Sequence, residues 1–122
     1  MNNLFGFTAG ILGALSVVLG AFGAHALKSR LSEDLMSAYQ TGVSYQLMHS
    51  VALLALSILI ERQPSTILHT AAMMMIAGII CFCGSLYLLT LTSMRWPGPI
   101  TPLGGLLLIL AWICVAIAAL NK

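Results

Sequence analysis

Charged residues are scarce in this chain. Only 7% of its 122 residues are Asp, Glu, Lys or Arg, whereas a soluble globular domain contains about 25%. The net charge of +2 is scattered over short polar links, so no basic surface for nucleic acid is expected. The composition therefore excludes a water-soluble domain and a nucleic-acid-binding protein.

Cysteine is also sparse. The three cysteines, Cys81, Cys83 and Cys114, lie within apolar segments, where thiols usually behave as small hydrophobic side chains. No disulfide framework is implied. Cys81 and Cys83, together with the methionines at 73–75, resemble a soft-metal site, but two cysteines that are two residues apart on a helix point to different faces. We therefore predict neither a metal nor a cofactor.

Apolar residues, in contrast, make up 60% of the chain. The few charges are clustered and leave four apolar segments, each long enough for the roughly 20 residues that cross a bilayer. The first segment exceeds the apolar part of a secretory signal, and no Lys or Arg precedes it. We predict an all-α polytopic membrane protein, a four-transmembrane-helix bundle in one domain over residues 1–122. The predicted helices cover about residues 4–27, 33–60, 65–93 and 101–121.

Basic residues do not decide the membrane orientation. Four spans place both termini on one side and the first and third loops on the other. Lys28, Arg30 and Arg95 belong to the loop side, and Arg62 and Lys122 to the side of the termini. The difference is too small for the positive-inside rule.

Small residues form a stripe along the first helix. In lipid, helices associate by close backbone approach, so such a stripe marks a packing face. We predict that this helix is central to the bundle, and we expect a homo-oligomer. The predicted packing residues are Gly6, Gly10, Gly13, Gly20 and Gly23.

Polar residues gather in the half of the membrane next to the first and third loops. On the second helix, Gly42, Gln46 and His49 follow an i, i+4, i+7 pattern and share a face. A polar face at that depth should point into the bundle. We predict a polar pocket formed by His25, Tyr45, Gln46, His49, Ser85, Tyr87, Thr101, Gly104 and Gly105.

Other polar and aromatic residues have simpler interpretations. His69 is expected at headgroup level near Glu61 and Arg62 on the opposite side. Trp96 is expected to anchor the interface. Trp112 is deeper, and we expect it to pack against another helix or subunit rather than to bind a ligand.

Four ordered motifs resemble one known family. LGAFGAHAL at 19–27, YQLMH at 45–49, GSLYLL at 84–89 and TPLGG at 101–105 are similar to the domain of unknown function 423 family. The resemblance implies a four-helix protein of a bacterial cytoplasmic (inner) membrane, and it implies no reaction. The family positions carried over are His25, Gln46, His49, Ser85, Tyr87, Thr101 and Pro102.

Three functional hypotheses follow. The preferred one is a non-enzymatic protein of the lipid bilayer whose polar pocket takes a lipid headgroup, a small polar ligand or a partner helix, so that bound lipid or detergent is expected. The second is a small transporter or conduit for protons, ions or a small solute. The third is an enzyme acting on a lipid or quinone through His25 or His49. These two histidines either form a hydrogen-bonded packing pair or titrate and relay protons.

Overall fold

Four long helices make up the protein. The computed structural model describes residues 3–92 and 94–121. Its helices are α1 (Leu4–Phe22), α2 (Glu33–Arg62), α3 (Thr66–Thr92) and α4 (Ile100–Leu120). All four are long and apolar enough to cross a membrane. The predicted all-α, four-transmembrane-helix class is confirmed.

Some predicted boundaries fall outside the described residues. Ser93, the predicted end of the third helix, is one of these positions. Met1, Asn2 and Lys122, at the ends of the predicted domain, are the others.

Side chains cap the first two helices. The Asn3 Oδ1 atom accepts a hydrogen bond from the Gly6 amide at 2.9 Å, and Ser32 Oγ accepts one from the Leu35 amide at 3.2 Å. Glu33 and Asp34 occupy the first turn of α2, where negative charge suits the positive end of the helix dipole. These signals explain why α2 begins in the polar link, before its apolar stretch.

The first membrane segment ends in a π-helical turn. Residues Gly23–Leu27 continue from α1 in this wider geometry, which is most often found as a single turn joined to an α-helix. A Cβ atom at Gly23 would overlap the ring of Tyr39. The Tyr39 hydroxyl donates to the Leu19 carbonyl oxygen, so glycine at 23 lets α2 lie directly against this end of the segment.

The helices pack in chain order. α1 packs against α2, α2 against α3, and α3 against α4. The prediction that the first helix is central is therefore wrong, because α1 lies at one edge and buries only Ala9 and Ser16. Most of the buried core belongs to α2 and α3, with α4 completing it: Leu53, Leu56, Leu68, Ala71, Ala72, Met75, Ile79, Cys83, Leu108 and Ala111.

Glycines allow α3 and α4 to approach closely. A Cβ atom at Gly104 would overlap the backbone of Phe82, and one at Gly78 would lie 2.7 Å from Leu108 Cδ2. Because a backbone cannot move aside as a side chain can, Gly104 is the position where the approach of the two helices requires glycine.

The glycines of α1 that were predicted to form one packing face have different surroundings. Cβ atoms at Gly13 and Gly20 would lie 3.8 Å from Ser50 Cβ and 3.4 Å from Val43 Cγ1, respectively, so this part faces α2. Gly6 lies against Asn3 at the start of its own helix. Gly10 has open space beside it.

Candidate functional site

Gln46 joins three helices. Its Nε2 atom donates to the carbonyl oxygen of Leu12 in α1 at 2.8 Å. Its Oε1 atom accepts from the hydroxyl of Tyr87 in α3 at 2.6 Å. The side chain is only 3% exposed and lies near the midpoint of α2. One buried amide thus fixes the two neighbours of α2 at the same level.

The position of Tyr87 depends on the residues around it. A Cβ atom at Gly42 would lie 2.9 Å from Tyr87 Cε1, so glycine at this position lets the ring lie close to α2. The ring of Tyr39, one turn earlier on α2, also packs on it, with the two ring centroids 5.6 Å apart. The packing of its ring therefore positions Tyr87 for the hydrogen bond from its hydroxyl to Gln46.

His49 connects α2 to α4. Its Nδ1 atom is 2.8 Å from the Tyr45 carbonyl oxygen, and its Nε2 atom is 3.1 Å from the indole Nε1 of Trp112. A carbonyl can only accept and an indole N–H can only donate. Nδ1 therefore carries the hydrogen and Nε2 accepts, so both contacts select one neutral tautomer of the ring.

Hydroxyl groups join α3 to α4. Ser85 Oγ donates to the Phe82 carbonyl oxygen at 2.9 Å, and its single hydrogen is thereby used. The short contact between Ser85 Oγ and Thr101 Oγ1 is then a hydrogen bond donated by Thr101. Gly104 and Gly105 follow on α4, where a Cβ atom on Gly105 would lie 3.7 Å from the Phe82 ring.

The predicted pocket residues fall into two groups of contacts, and His25 belongs to neither. Gln46 and Tyr87 form one group, and the half-exposed ring of Tyr45 lies at the centre of the other. The ring centroid of Tyr45 is 5.8 Å from that of His49 and 4.8 Å from that of Phe82, which links the His49 contacts to the Ser85 contacts. His25 is exposed on the π-helical turn, and its ring makes no hydrogen bond within residues 3–92 and 94–121. We call the others the polar cluster: Tyr45, Gln46, His49, Ser85, Tyr87, Thr101, Gly104 and Gly105.

Three aromatic residues of this region were not among the predicted pocket residues. Tyr39, Phe82 and Trp112 each contact a member of the polar cluster. An indole N–H deep in a membrane segment needs an acceptor, and this need was a signal for Trp112. The expectation that Trp112 packs against another helix agrees with its contact to His49.

A separate groove lies at the opposite end of the bundle. It has a volume of about 820 Å³ and lies between α1, α2 and α3, beside the α2–α3 hairpin. The rings of Phe5 and His69 meet edge to face, with centroids 4.9 Å apart, and connect its two walls. The groove is lined by Asn3, Leu4, Phe5, Thr8, Ser57, Ile60, Glu61, Pro64, His69, Met73 and Ile76.

The polarity of the groove changes with depth. Glu61 and His69 lie near the hairpin, whereas Met73 and Ile76 lie farther along α3. The seven steps from His69 to Ile76 span about 10 Å of helix. Met73 is 54% exposed, so the groove opens sideways on the outer surface of the helices. Within the described residues, His, Cys, Asp and Glu side chains form no group of three that could hold a metal.

Four spanning helices and an interior polar cluster define a small multi-pass membrane protein. The model of the family described as "Protein of unknown function (DUF423)" matches residues 19–105. The chain belongs to this family, which confirms the resemblance found in the sequence motifs.

Curated relatives cover nearly the whole chain. A UPF0382 membrane protein of Staphylococcus epidermidis is 42% identical over 115 residues, covering 91% of this chain and 93% of the relative. The UPF0382 membrane protein YwdK of Bacillus subtilis is 40% identical over 116 residues, covering 91% and 94%.

The UPF0382 inner membrane protein YgdD of Escherichia coli is 35% identical over 113 residues, covering 93% of this chain and 86% of the relative. No solved structure matches the chain. The predicted location in the membrane as a multi-pass protein is confirmed, and the name of the E. coli relative agrees with an inner membrane.

Proposed function

We propose that this protein binds a membrane lipid, without chemical change, in the groove between α1, α2 and α3. The observation that supports this proposal is the change from polar to apolar lining with depth along the α3 side of the groove. Polar groups of Glu61 and His69 lie at the hairpin end, and the apolar side chains of Met73 and Ile76 lie deeper. A lipid in a bilayer has the same order, with its headgroup at the interface and its acyl chain inward.

The size and the opening of the groove also suit a lipid. A volume of about 820 Å³ lies within the range of about 300 to 1,000 Å³ typical of small-molecule sites. The groove opens on the surface of helices that cross the membrane, so the surrounding lipid can enter sideways. An acyl chain would lie along Met73 and Ile76 and fill the apolar space beside these two side chains.

The polar cluster has a different role in this proposal, which is to hold the helices together. Gln46, His49 and Tyr87 already bond to other groups of the chain. Within the described residues, no buried side-chain nitrogen or oxygen lacks a hydrogen-bond partner. A ligand in the cluster would have to break these bonds, whereas the groove needs no rearrangement.

Filling the groove tests the proposal. Met73→Trp places a large ring in the groove and should prevent lipid from remaining bound during purification. Ile80→Trp is the matched control, because Ile80 lies on the same helix and is 61% exposed but does not line the groove. Native mass spectrometry of the detergent-solubilised proteins measures the fraction of chains that carry a lipid.

We expect lipid adducts on the wild type and on Ile80→Trp, and few on Met73→Trp. Equal adducts on all three proteins would overturn the proposal. A dimer that is present in the wild type and lost only in Met73→Trp would also overturn it, since a second copy of the chain would then occupy the groove. The expected homo-oligomer stays a prediction and does not depend on this groove.

A further inference from the structure

We infer that the lipid in the groove carries a primary amine in its headgroup, as phosphatidylethanolamine does. This inference rests on the proposed function and adds the class of ligand. It comes from the hydrogen-bonding capacity of the polar atoms that line the groove. Asn3 and His69 can donate, whereas Glu61, Thr8 and Ser57 have only acceptor capacity left for a ligand.

Glu61 supplies the charge of the groove. Among the described lining residues it is the only acidic one, and no Lys or Arg lines the groove. Arg62 follows it in the chain but is not part of the lining. An ionised carboxylate has two oxygens that only accept. A headgroup with a positive charge and N–H donors complements this end of the groove.

Two hydroxyl groups add further acceptors. Thr8 Oγ1 donates its hydrogen to the Leu4 carbonyl oxygen at 2.8 Å, and Ser57 Oγ donates its hydrogen to the Leu54 carbonyl oxygen at 2.6 Å. Each hydroxyl has one hydrogen, so both oxygens can only accept from a ligand. Ser57 lies four residues before Glu61 and therefore on the same face of α2.

A primary ammonium fits this set of acceptors better than the other common headgroups. It has three N–H donors, whereas the quaternary ammonium of choline has the same charge and none. Glycerol headgroups have hydroxyl donors but no positive charge to pair with Glu61. The Asn3 side chain accepts the hydrogen bond from Gly6 through its Oδ1 atom. Its amide nitrogen is not used in that bond and remains a donor for the phosphate of the same lipid.

Headgroup preference is measurable with three probes of equal acyl chains. Purified full-length protein is delipidated, incubated with phosphatidylethanolamine, phosphatidylcholine or phosphatidylglycerol, and weighed by native mass spectrometry. Glu61 is exposed, so solvent screens its ion pair with an ammonium group, and we expect a preference for phosphatidylethanolamine of about two- to fivefold. Glu61→Gln keeps the size of the side chain and should remove most of this preference.

Glu33→Gln is the matched control, because Glu33 is an exposed carboxylate at the opposite end of α2 and should leave the preference unchanged. Equal retention of all three lipids by the wild type would overturn the amine assignment, and so would an unchanged preference in Glu61→Gln. Either result would leave the lipid-binding function standing if Met73→Trp still lowered total retention. Loss of effect in Met73→Trp would instead remove the function itself.

Discussion

A single side chain, Gln46, makes hydrogen bonds from α2 to both of its neighbours. Its amide nitrogen bonds to α1 and its amide oxygen bonds to α3. In a membrane both partners are withdrawn from water, and such interhelical bonds typically contribute about 0.6 kcal/mol and up to about 2 kcal/mol each. The removal of the amide leaves the Tyr87 hydroxyl buried without its acceptor, which adds to the loss.

The change Gln46→Leu keeps the size of the side chain and removes both bonds. We expect it to lower the free energy of unfolding by about 1–3 kcal/mol, measured as a lower thermal midpoint in detergent. Gln40→Leu is the matched control, because Gln40 is exposed on the same helix. Tyr87→Phe combined with Gln46→Leu should cost less than the sum of the two single changes, and strict additivity would contradict the bond between them.

Some residues of the polar cluster could be predicted from sequence, but their partners could not. The spacing of Gln46 and His49 placed them on one helix face, and the cost of polar groups in lipid predicted that this face points inward. The partner of Gln46 on α1 is a main-chain carbonyl, that of Leu12, which every residue carries and no motif marks. His25 followed the same polar pattern but lies exposed, because the π-helical turn determines its direction.

At the scale of helices, two adjacent glycines on α4 have opposite surroundings. Gly104 faces the Phe82 backbone so closely that a Cβ atom would overlap it, whereas the same atom on Gly105 would make an ordinary contact at 3.7 Å with the Phe82 ring. A backbone cannot move aside as a side chain can. The spacing between α3 and α4 therefore depends on Gly104 and not on Gly105.

Gly104→Ala should force α3 and α4 apart and destabilise the protein by roughly 1–3 kcal/mol or more. Gly105→Ala should change the stability by less than about 0.5 kcal/mol, because its Cβ atom has room and alanine favours helix. Thermal unfolding in the same detergent compares the two variants. The close packing of α3 on α4 would be disproved by equal midpoints.

The number of helices could be predicted and their order of packing could not. Four apolar segments separated by charges and prolines dictate four spans. The glycine count of the first segment suggested a central helix, yet α1 lies at an edge. A glycine permits another helix to approach closely but does not determine which helix packs against it. The packing partner depends on complementary shapes, such as that of Phe82 opposite Gly104.

The whole molecule has two unlike ends. The π-helical turn and the α3–α4 link lie at one end, and the start of α1, the end of α4 and the α2–α3 hairpin with the proposed lipid site lie at the other. This arrangement follows from four spans joined by short links. It places the groove in the leaflet opposite the two longer links.

Cysteine accessibility in membrane vesicles tests this arrangement. In a variant without Cys81, Cys83 and Cys114, we expect Ser29→Cys and Arg95→Cys to react with a membrane-impermeant thiol reagent from the same side. Gln63→Cys should react from the other side. All three positions are exposed, so differences in labelling report the side of the membrane. Labelling of all three from one side would contradict the four-span topology.

The bond between Gln46 and the Leu12 carbonyl has a consequence for how the sequence of α1 can vary. Because the acceptor is a main-chain atom, any residue that keeps the helix can stand at position 12 without loss of the bond. The side chain of Leu12 contributes separately, because it packs against the buried core. A polar side chain of α2 therefore holds α1 at a point where a substitution in α1 can alter the packing but cannot remove the acceptor.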